Sequence, residues 1–360
     1  MILKKNINKV FYLFIFSHLV MWTTVPSISN TNLPLDTIEA LAWGSNLDWG
    51  FSKHPPLSAL AVEIIYLIFA NKDWAYYLLS QIFVITAFYF VWKFYNEFSE
   101  NRLHALLSIL FLSGIYFYNF TTPEFNVNIS QLPFWALCVY YFWKGLNSNN
   151  NINWVLFGIF SALGFLSKYL FIYLLLALFT YFVLNIKIYK KYVFNYFLSI
   201  LVSFIILTPH FIWLFENNFI TIFYGLNRSG LSESNLINHF VNPAVFLVKQ
   251  LLILIPFLII SFTILKKIRL KINKKNKLLL FLITINVIPF VLILFTSIIT
   301  GAKIRTMWMT PFYLFLGTLF FELFKEKLTF KNIKKFYFVF LFFFFISPSI
   351  YLGTSLIDET

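Results

Sequence analysis

The chain has 360 residues, 60% hydrophobic, 22% aromatic and only 12% charged, with a formal net charge of +14 and a mean hydropathy of +0.78. A soluble domain carries roughly 25% charged residues, so this chain cannot cover itself with polar surface; disordered, coiled-coil, collagen-like and disulfide-rich classes are excluded as well. What remains is an all-α polytopic integral membrane protein.

Apolar stretches near 10–26, 74–93, 104–121, 129–143, 154–185, 194–214, 243–265, 278–299, 307–324 and 336–352 approach the length of a spanning helix. The stretch 154–185 is long enough for two spans, and residues 57–70 form a shorter one behind Pro55-Pro56. About eleven or twelve segments result, predicting one transmembrane domain over 1–360. It has a first external loop at 27–55, a long external loop at 215–242 and no soluble C-terminal domain. The Lys-rich start and the small residues at Ser27–Ser29 have the outline of a signal peptide. The apolar run between them is long for one and contains His18, Trp22 and Pro26, so an uncleaved first span is expected.

Lysine and arginine concentrate in four places: Lys4, Lys5 and Lys9; Lys187, Lys190 and Lys191; seven residues from Lys266 to Lys277; and five from Lys325 to Lys335, together 18 of the 28 basic residues. Loops of this kind face the cytoplasm. The basic excess is therefore topogenic, and no nucleic-acid partner is expected. One conflict arises. If 57–70, 74–93 and 104–121 each cross once, residues 122–128 fall on the cytoplasmic side, against the later segments; one of the three is expected to be re-entrant, interfacial or hairpinned, and hydropathy does not say which.

The external side then holds the chemistry. Residues 36–46 have helical periodicity, with Asp36 near the start, where a carboxylate suits the helix dipole. Glu39 shares its face. A helix cap and the start of a span would account for Asp36 and Pro55-Pro56 equally well. Lys53, His54, Lys168, Arg228, Lys303 and Arg305 lie on the side that the positive-inside rule disfavours. Cations stranded there suit an anionic phosphate, although any single one also reads as a solvated loop charge. His18 and His104 read as packing residues, and Glu63, inside an apolar segment, is given no role. Cys138 is the single cysteine, so no intramolecular disulfide forms. No His/Cys/Asp cluster has metal-site spacing, and no Gly-rich phosphate loop suggests a nucleotide-sugar donor.

The order of motifs carries a resemblance. Asp36, Glu39 and Trp43 followed by Lys53-His54-Pro55-Pro56 resemble the first external loop of the bacterial dolichyl-phosphate-mannose-protein mannosyltransferase superfamily, which includes the lipid A aminoarabinose transferases. Thr121-Thr122-Pro123-Glu124, Ser167-Lys168-Tyr169, Pro209-His210-Phe211-Ile212-Trp213 with Arg228, and Trp308 with Pro311 are similar to further family motifs in the same order. The resemblance spans roughly 33–313, most of the chain. It implies a GT-C fold in the bacterial inner membrane, with the N-terminus cytoplasmic and the site periplasmic.

The implied activity is transfer of a sugar from a polyprenyl-phosphate carrier to a lipid, glycan or protein acceptor. Asp36 would then be the base, with Glu39 and Glu124 in support. Lys53, His54, Lys168, Arg228, Lys303 and Arg305 would hold the donor phosphate, while Tyr169, Trp213 and Tyr224 would stack on sugar or line the lipid groove. The chain departs from the pattern at Thr37, where an acid is usual, and at Glu124, which stands for aspartate. No cofactor is fixed by the resemblance, and a divalent cation is left open. A transporter or flippase, or a non-catalytic relative, is the competing class. Transporters concentrate charge at mid-membrane, whereas these candidates sit in loops.

Overall fold

A computed structural model describes residues 6–99, 101–230, 235–265, 273, 275–324 and 328–357. Its helices are α1 Ile7–Ser29, α2 Leu35–Gly44, α3 Leu57–Phe69, α4 Asp73–Phe98, α5 Arg102–Leu110, α6 Val127–Ser130, α7 Leu132–Leu146 and α8 Ile152–Ser167. They continue as α9 Ile172–Leu184, α10 Ile186–Tyr189, α11 Val193–Glu216, α12 Ile220–Arg228, α13 Asn238–Ile264, α14 Lys277–Thr300, α15 Leu316–Phe324 and α16 Phe330–Ile357. Among the described residues there is no strand, and the all-α class holds.

Among the described residues, six stretches are long and apolar enough to cross a membrane: Ile7–Ser29, Asp73–Phe98, Ile186–Glu216, Asn238–Ile264, Lys277–Thr300 and Phe330–Ile357. A seventh is bent by 52° between Thr306–Tyr313 and Leu316–Phe324. The other expected segments form shorter helices. The stretch 104–121 breaks into α5 and 3₁₀ turns at Phe111–Gly114 and Tyr116–Tyr118. Gly114 marks the reason for close packing there, because a Cβ would lie 2.9 Å from the backbone of Phe257 on α13.

Side-chain pairs fix the direction of each helix. Phe11, early in α1, stacks on Trp92, late in α4, at 4.2 Å, while Asn30 beyond the end of α1 donates to Tyr77 early in α4 at 3.0 Å. These two helices are therefore antiparallel. The segment that turns back is 57–70. Helix α3 starts beside Trp43 and Tyr224 through His54. It ends at Ala70, whose carbonyl accepts from Tyr76 at 2.7 Å, one residue before the Tyr77 that holds Asn30. Its thirteen residues, about 20 Å long, thus begin and finish at one end of the bundle. Residues 122–128 consequently lie at that same end: Ser80 near the start of α4 donates to the Thr122 carbonyl, and Thr37 of the first loop donates to the Phe125 carbonyl.

The opposite end collects the basic loops. Tyr140 donates to Glu97 at 2.7 Å, and Lys144 lies 3.9 Å from the same carboxylate. Tyr95 and Asn276 both donate to Glu322 at 3.1 Å. Lys9, Lys187, Lys190, Lys191, Lys275, Lys277, Lys331, Lys334 and Lys335 start or precede helices at this end. The remaining expected topogenic residues, Lys4, Lys5, Lys266, Lys267, Arg269, Lys271, Lys274, Lys325 and Lys327, lie outside the described residues. Between the two ends a core of packed rings, such as Trp143 on Phe281 at 4.5 Å, holds the helices together.

Candidate active site

Helix α2 carries the first carboxylate. Pro34 precedes it, and Asp36 sits in its first turn, where backbone N–H groups lack helical partners. One of these is met from another segment: the Asp36 amide donates to Glu124 Oε1 at 3.3 Å. Next to it the Thr37 hydroxyl donates to the Phe125 carbonyl at 3.2 Å. Glu124 thus caps α2 from 88 residues away, and the helix dipole favours its charge. At its other end, α2 rests on α3. A Cβ on Gly44 would lie 2.7 Å from the Ala59 carbonyl, so only glycine permits this approach.

Asn126 ties the acid to a cation. Its amide donates to Glu124 Oε2 at 3.4 Å, and its Oδ1 accepts from the Asn128 and Ile129 amides, capping α6. Asn128 Oδ1 in turn accepts from Lys168 Nζ. Lys168 is only 7% exposed, lies between α8 and the 3₁₀ turn Tyr169–Phe171, and sits under the Trp308 ring with Nζ 5.2 Å from its centre. Burial drops its pKa to about 7, and the Asp36 charge pulls the other way. The carboxylates respond in the opposite sense. Burial and then Glu39 raise Asp36, against Lys168, Lys53 and Arg228. Glu124 is raised to about 6 by burial and by Asp36.

Lys53 pairs with Glu39 as a salt bridge, and that hydrogen bond raises the lysine pKa. Its Nζ also lies 6.0 Å from the Trp43 ring centre and 5.9 Å from that of Tyr224. His54 departs from the expectation of a cation. Burial, then Lys168, Lys53 and Arg228, lowers it to about 3, leaving a neutral imidazole that can donate a hydrogen bond but carries no charge. It packs edge-on to Trp43 and Tyr224 at 5.9 and 6.4 Å.

A second set of bonds locks the loop after α2 against α11 and α12. The Trp49 carbonyl lies 2.6 Å from His210 Nδ1, which must carry the proton; Nε2 then accepts from the Tyr169 hydroxyl at 2.9 Å. Thr221 donates to the Phe51 carbonyl at 2.6 Å. Gly50 between them faces the Trp213 ring so closely that a Cβ would sit 2.3 Å away. Tyr169 and Trp213 are therefore scaffold partners in this conformation.

Arg228, at the end of α12, is near enough for its charge to act on Asp36, Lys53 and His54. The loop after α14 joins it: the Lys303 amide donates to the Ser229 carbonyl at 2.9 Å. The Lys303 side chain is exposed, while Arg305 is half-buried and its Nε is shielded with no hydrogen-bond partner among the described residues. Every expected site residue thus lies at one end of the bundle. Motif reading missed Asn126 and Asn128. Their signal was local, since Asn126 begins a short helix as a cap.

Between Asp36, Glu39, Trp43, His54, Ser58 and Asn126 there is a chamber of only about 10 Å³, room for a single water. On the other side of Glu124 a cavity of about 660 Å³ opens. Among the described residues, no three of His, Cys, Asp and Glu converge to hold a metal ion, so no step is derived through one. The arrangement offers two coupled carboxylates to take a proton and several donors for an anion.

Residues 53–213 match the family model described as dolichyl-phosphate-mannose-protein mannosyltransferase. The match supports the GT-C resemblance carried by the motifs, and glycosyltransferase activity with it. It includes His54, Glu124, Lys168 and His210 and leaves Asp36 upstream. No curated protein and no solved structure matches the chain.

Proposed function

We propose that this membrane glycosyltransferase takes its sugar from a polyprenyl-phosphate donor and passes it to an acceptor hydroxyl on the external face of a bacterial inner membrane. The observation that carries the reading is one junction. The Asp36–Glu124 pair and the Lys168 ammonium, linked through Asn126 and Asn128, come from separate segments at the end away from the basic clusters. Those clusters support the reading of the other end as cytoplasmic.

In the proposed reaction the acceptor oxygen attacks the anomeric carbon as the Asp36 carboxylate takes its proton. The new C–O bond replaces the bond to the phosphate oxygen, and polyprenyl phosphate leaves with that electron pair. Lys168, Lys53, Arg228, Lys303 and Arg305 neutralise the charge that grows on it, and His54 adds an uncharged N–H donor. Burial and Glu39 raise the basicity of Asp36, and Glu124 caps the helix that carries it. Exposed apolar side chains on α11 and α13, Phe204 and Leu251 among them, leave the isoprenoid tail in contact with lipid.

The test is transfer from a radiolabelled polyprenyl-phosphate sugar in proteoliposomes. Asp36→Asn should lose at least about 100-fold in turnover with unchanged insertion and abundance. Wild-type turnover by that variant would overturn the assignment of the base.

A further inference from the structure

The geometry points to the cavity of about 660 Å³ beyond Glu124 as the acceptor site, shaped for a hydroxyl-bearing glycan. This rests on the transferase reading and adds to it the side from which the second substrate arrives and its chemical class.

The cavity is assembled from three distant parts of the chain: the end of α1 with the start of α2, residues 116–124, and the last turns of α16. Its volume falls in the range of small-molecule sites, roughly 300–1,000 Å³. Its walls combine two kinds of group. Tyr116 and Phe120 stack at 5.4 Å, and Phe120 meets Tyr351 edge-on at 5.3 Å, giving adjoining aromatic surfaces. Such rings take the C–H face of a pyranose. Around them stand the hydroxyls of Thr121, Thr354 and Ser355 and the carboxylate of Glu124, which suit sugar hydroxyls.

The wall is held in place. Asn30 donates to Tyr351 at 2.9 Å and to Tyr77 at 3.0 Å, tying the end of α16 to α1 and α4. Glu124 is the connection to the chemistry. It lines the cavity while its Oε1 accepts from the Asp36 amide, so a hydroxyl bound against Glu124 enters beside Asp36. The donor cations Lys168, Lys53 and Arg228 act on Asp36 without lining this cavity. The two substrates therefore approach the carboxylate pair from different sides, as a direct displacement requires.

Two sources could present such a glycan, a lipid headgroup or a soluble saccharide. At the rim Leu35 is 76% and Ile38 45% exposed, which suits an alkyl chain.

The experiment measures binding to the full chain in nanodiscs. The probes are an alkyl glycoside below its micellar concentration, the matching methyl glycoside, and polyprenyl phosphate. The variants are Thr354→Trp, which fills the cavity from an exposed helical position, and Thr354→Ala, which leaves it open. Saturable glycoside binding that Thr354→Trp weakens at least 10-fold and Thr354→Ala retains supports the site. A preference for the alkyl form then assigns a lipid-borne glycan, and equal binding a soluble one. The proposal is overturned if neither glycoside saturates, if Thr354→Trp binds like the parent, or if that variant loses polyprenyl phosphate instead. Failure of the parent to bind polyprenyl phosphate would count against the donor reading alone.

Discussion

The backbone amide of Asp36 donates to the carboxylate of Glu124 at 3.3 Å across 88 residues of sequence. The bond joins the first loop to the segment before α6, and it places Glu124 where burial and the Asp36 charge raise its proton affinity, while burial and Glu39 raise that of Asp36.

Glu124→Gln tests that coupling. A folded-state pKa near 6 against 4.5 for the free side chain means that the folded protein holds the extra proton between those values. Stability therefore falls as pH rises through that window, by up to about 2 kcal/mol. Glu124→Gln should remove the slope and raise the unfolding midpoint at pH 7, with the difference vanishing below about pH 4.5. Thermal unfolding in detergent between pH 4 and 8 reads it directly.

Lys168 predicts the other limb. With its pKa brought to about 7 by burial, it loses its charge as pH climbs past that value, and donor phosphate binding should weaken with it. A bound phosphate pulls the proton back and moves the limb of kcat to higher pH, whereas kcat/KM reports the free enzyme and its falling limb lies near pH 7. Lys168→Met should flatten that limb and cost at least 10-fold in donor affinity. It should also raise thermal stability at neutral pH, because the folded state holds the proton less tightly than the unfolded chain does. A variant that loses both affinity and stability would mark Lys168 as a structural residue.

Much of this end of the molecule was legible beforehand, and the reason differs by residue. Asp36, Glu124 and Lys168 stood out because charges in an apolar chain are few and each lay in a loop. The junction itself left no periodic trace: Asn126 showed only as the cap of a short helix, and Asn128 acts through a bond to Lys168 40 residues away. Hydropathy also could not separate a crossing helix from a flat one at 57–70. The thirteen-residue helix looks alike in either case, and the long-range contacts at its two ends, His54 beside Tyr224 and Asn30 on Tyr77, fix the outcome. His54 was legible as a motif and misread as a cation, because burial is a tertiary property. The cavity wall at Tyr351 was invisible for the same reason, as its partner Asn30 is 321 residues away.

Lys53 separates surface electrostatics from function. Its salt bridge to Glu39 joins side chains that are 37% and 25% exposed, and such pairs contribute less than about 1 kcal/mol. Lys53→Gln should leave the unfolding midpoint nearly unchanged. If the ammonium exchanges Glu39 for donor phosphate, the donor KM should rise several-fold and become less sensitive to salt. An unchanged KM over 50–500 mM salt would restrict Lys53 to its pair with Glu39.

Gly50 tests whether the loop must sit where it does. A methyl group there meets the Trp213 ring at 2.3 Å, and relief requires the loop to lift off α11. Lifting breaks the Trp49–His210 and Phe51–Thr221 bonds on either side and shifts Lys53 and His54. Overpacking of this kind costs about 1–3 kcal/mol. Displacing positioned groups by about 1 Å costs up to roughly 100-fold in rate, so Gly50→Ala should impair kcat more than abundance. The cause can be isolated with a second substitution. Trp213→Leu removes the obstructing ring, and Gly50→Ala combined with Trp213→Leu should recover more activity than the two single losses predict when summed. Additive losses in that double-mutant cycle would show that the contact with Trp213 does not set the position of the loop.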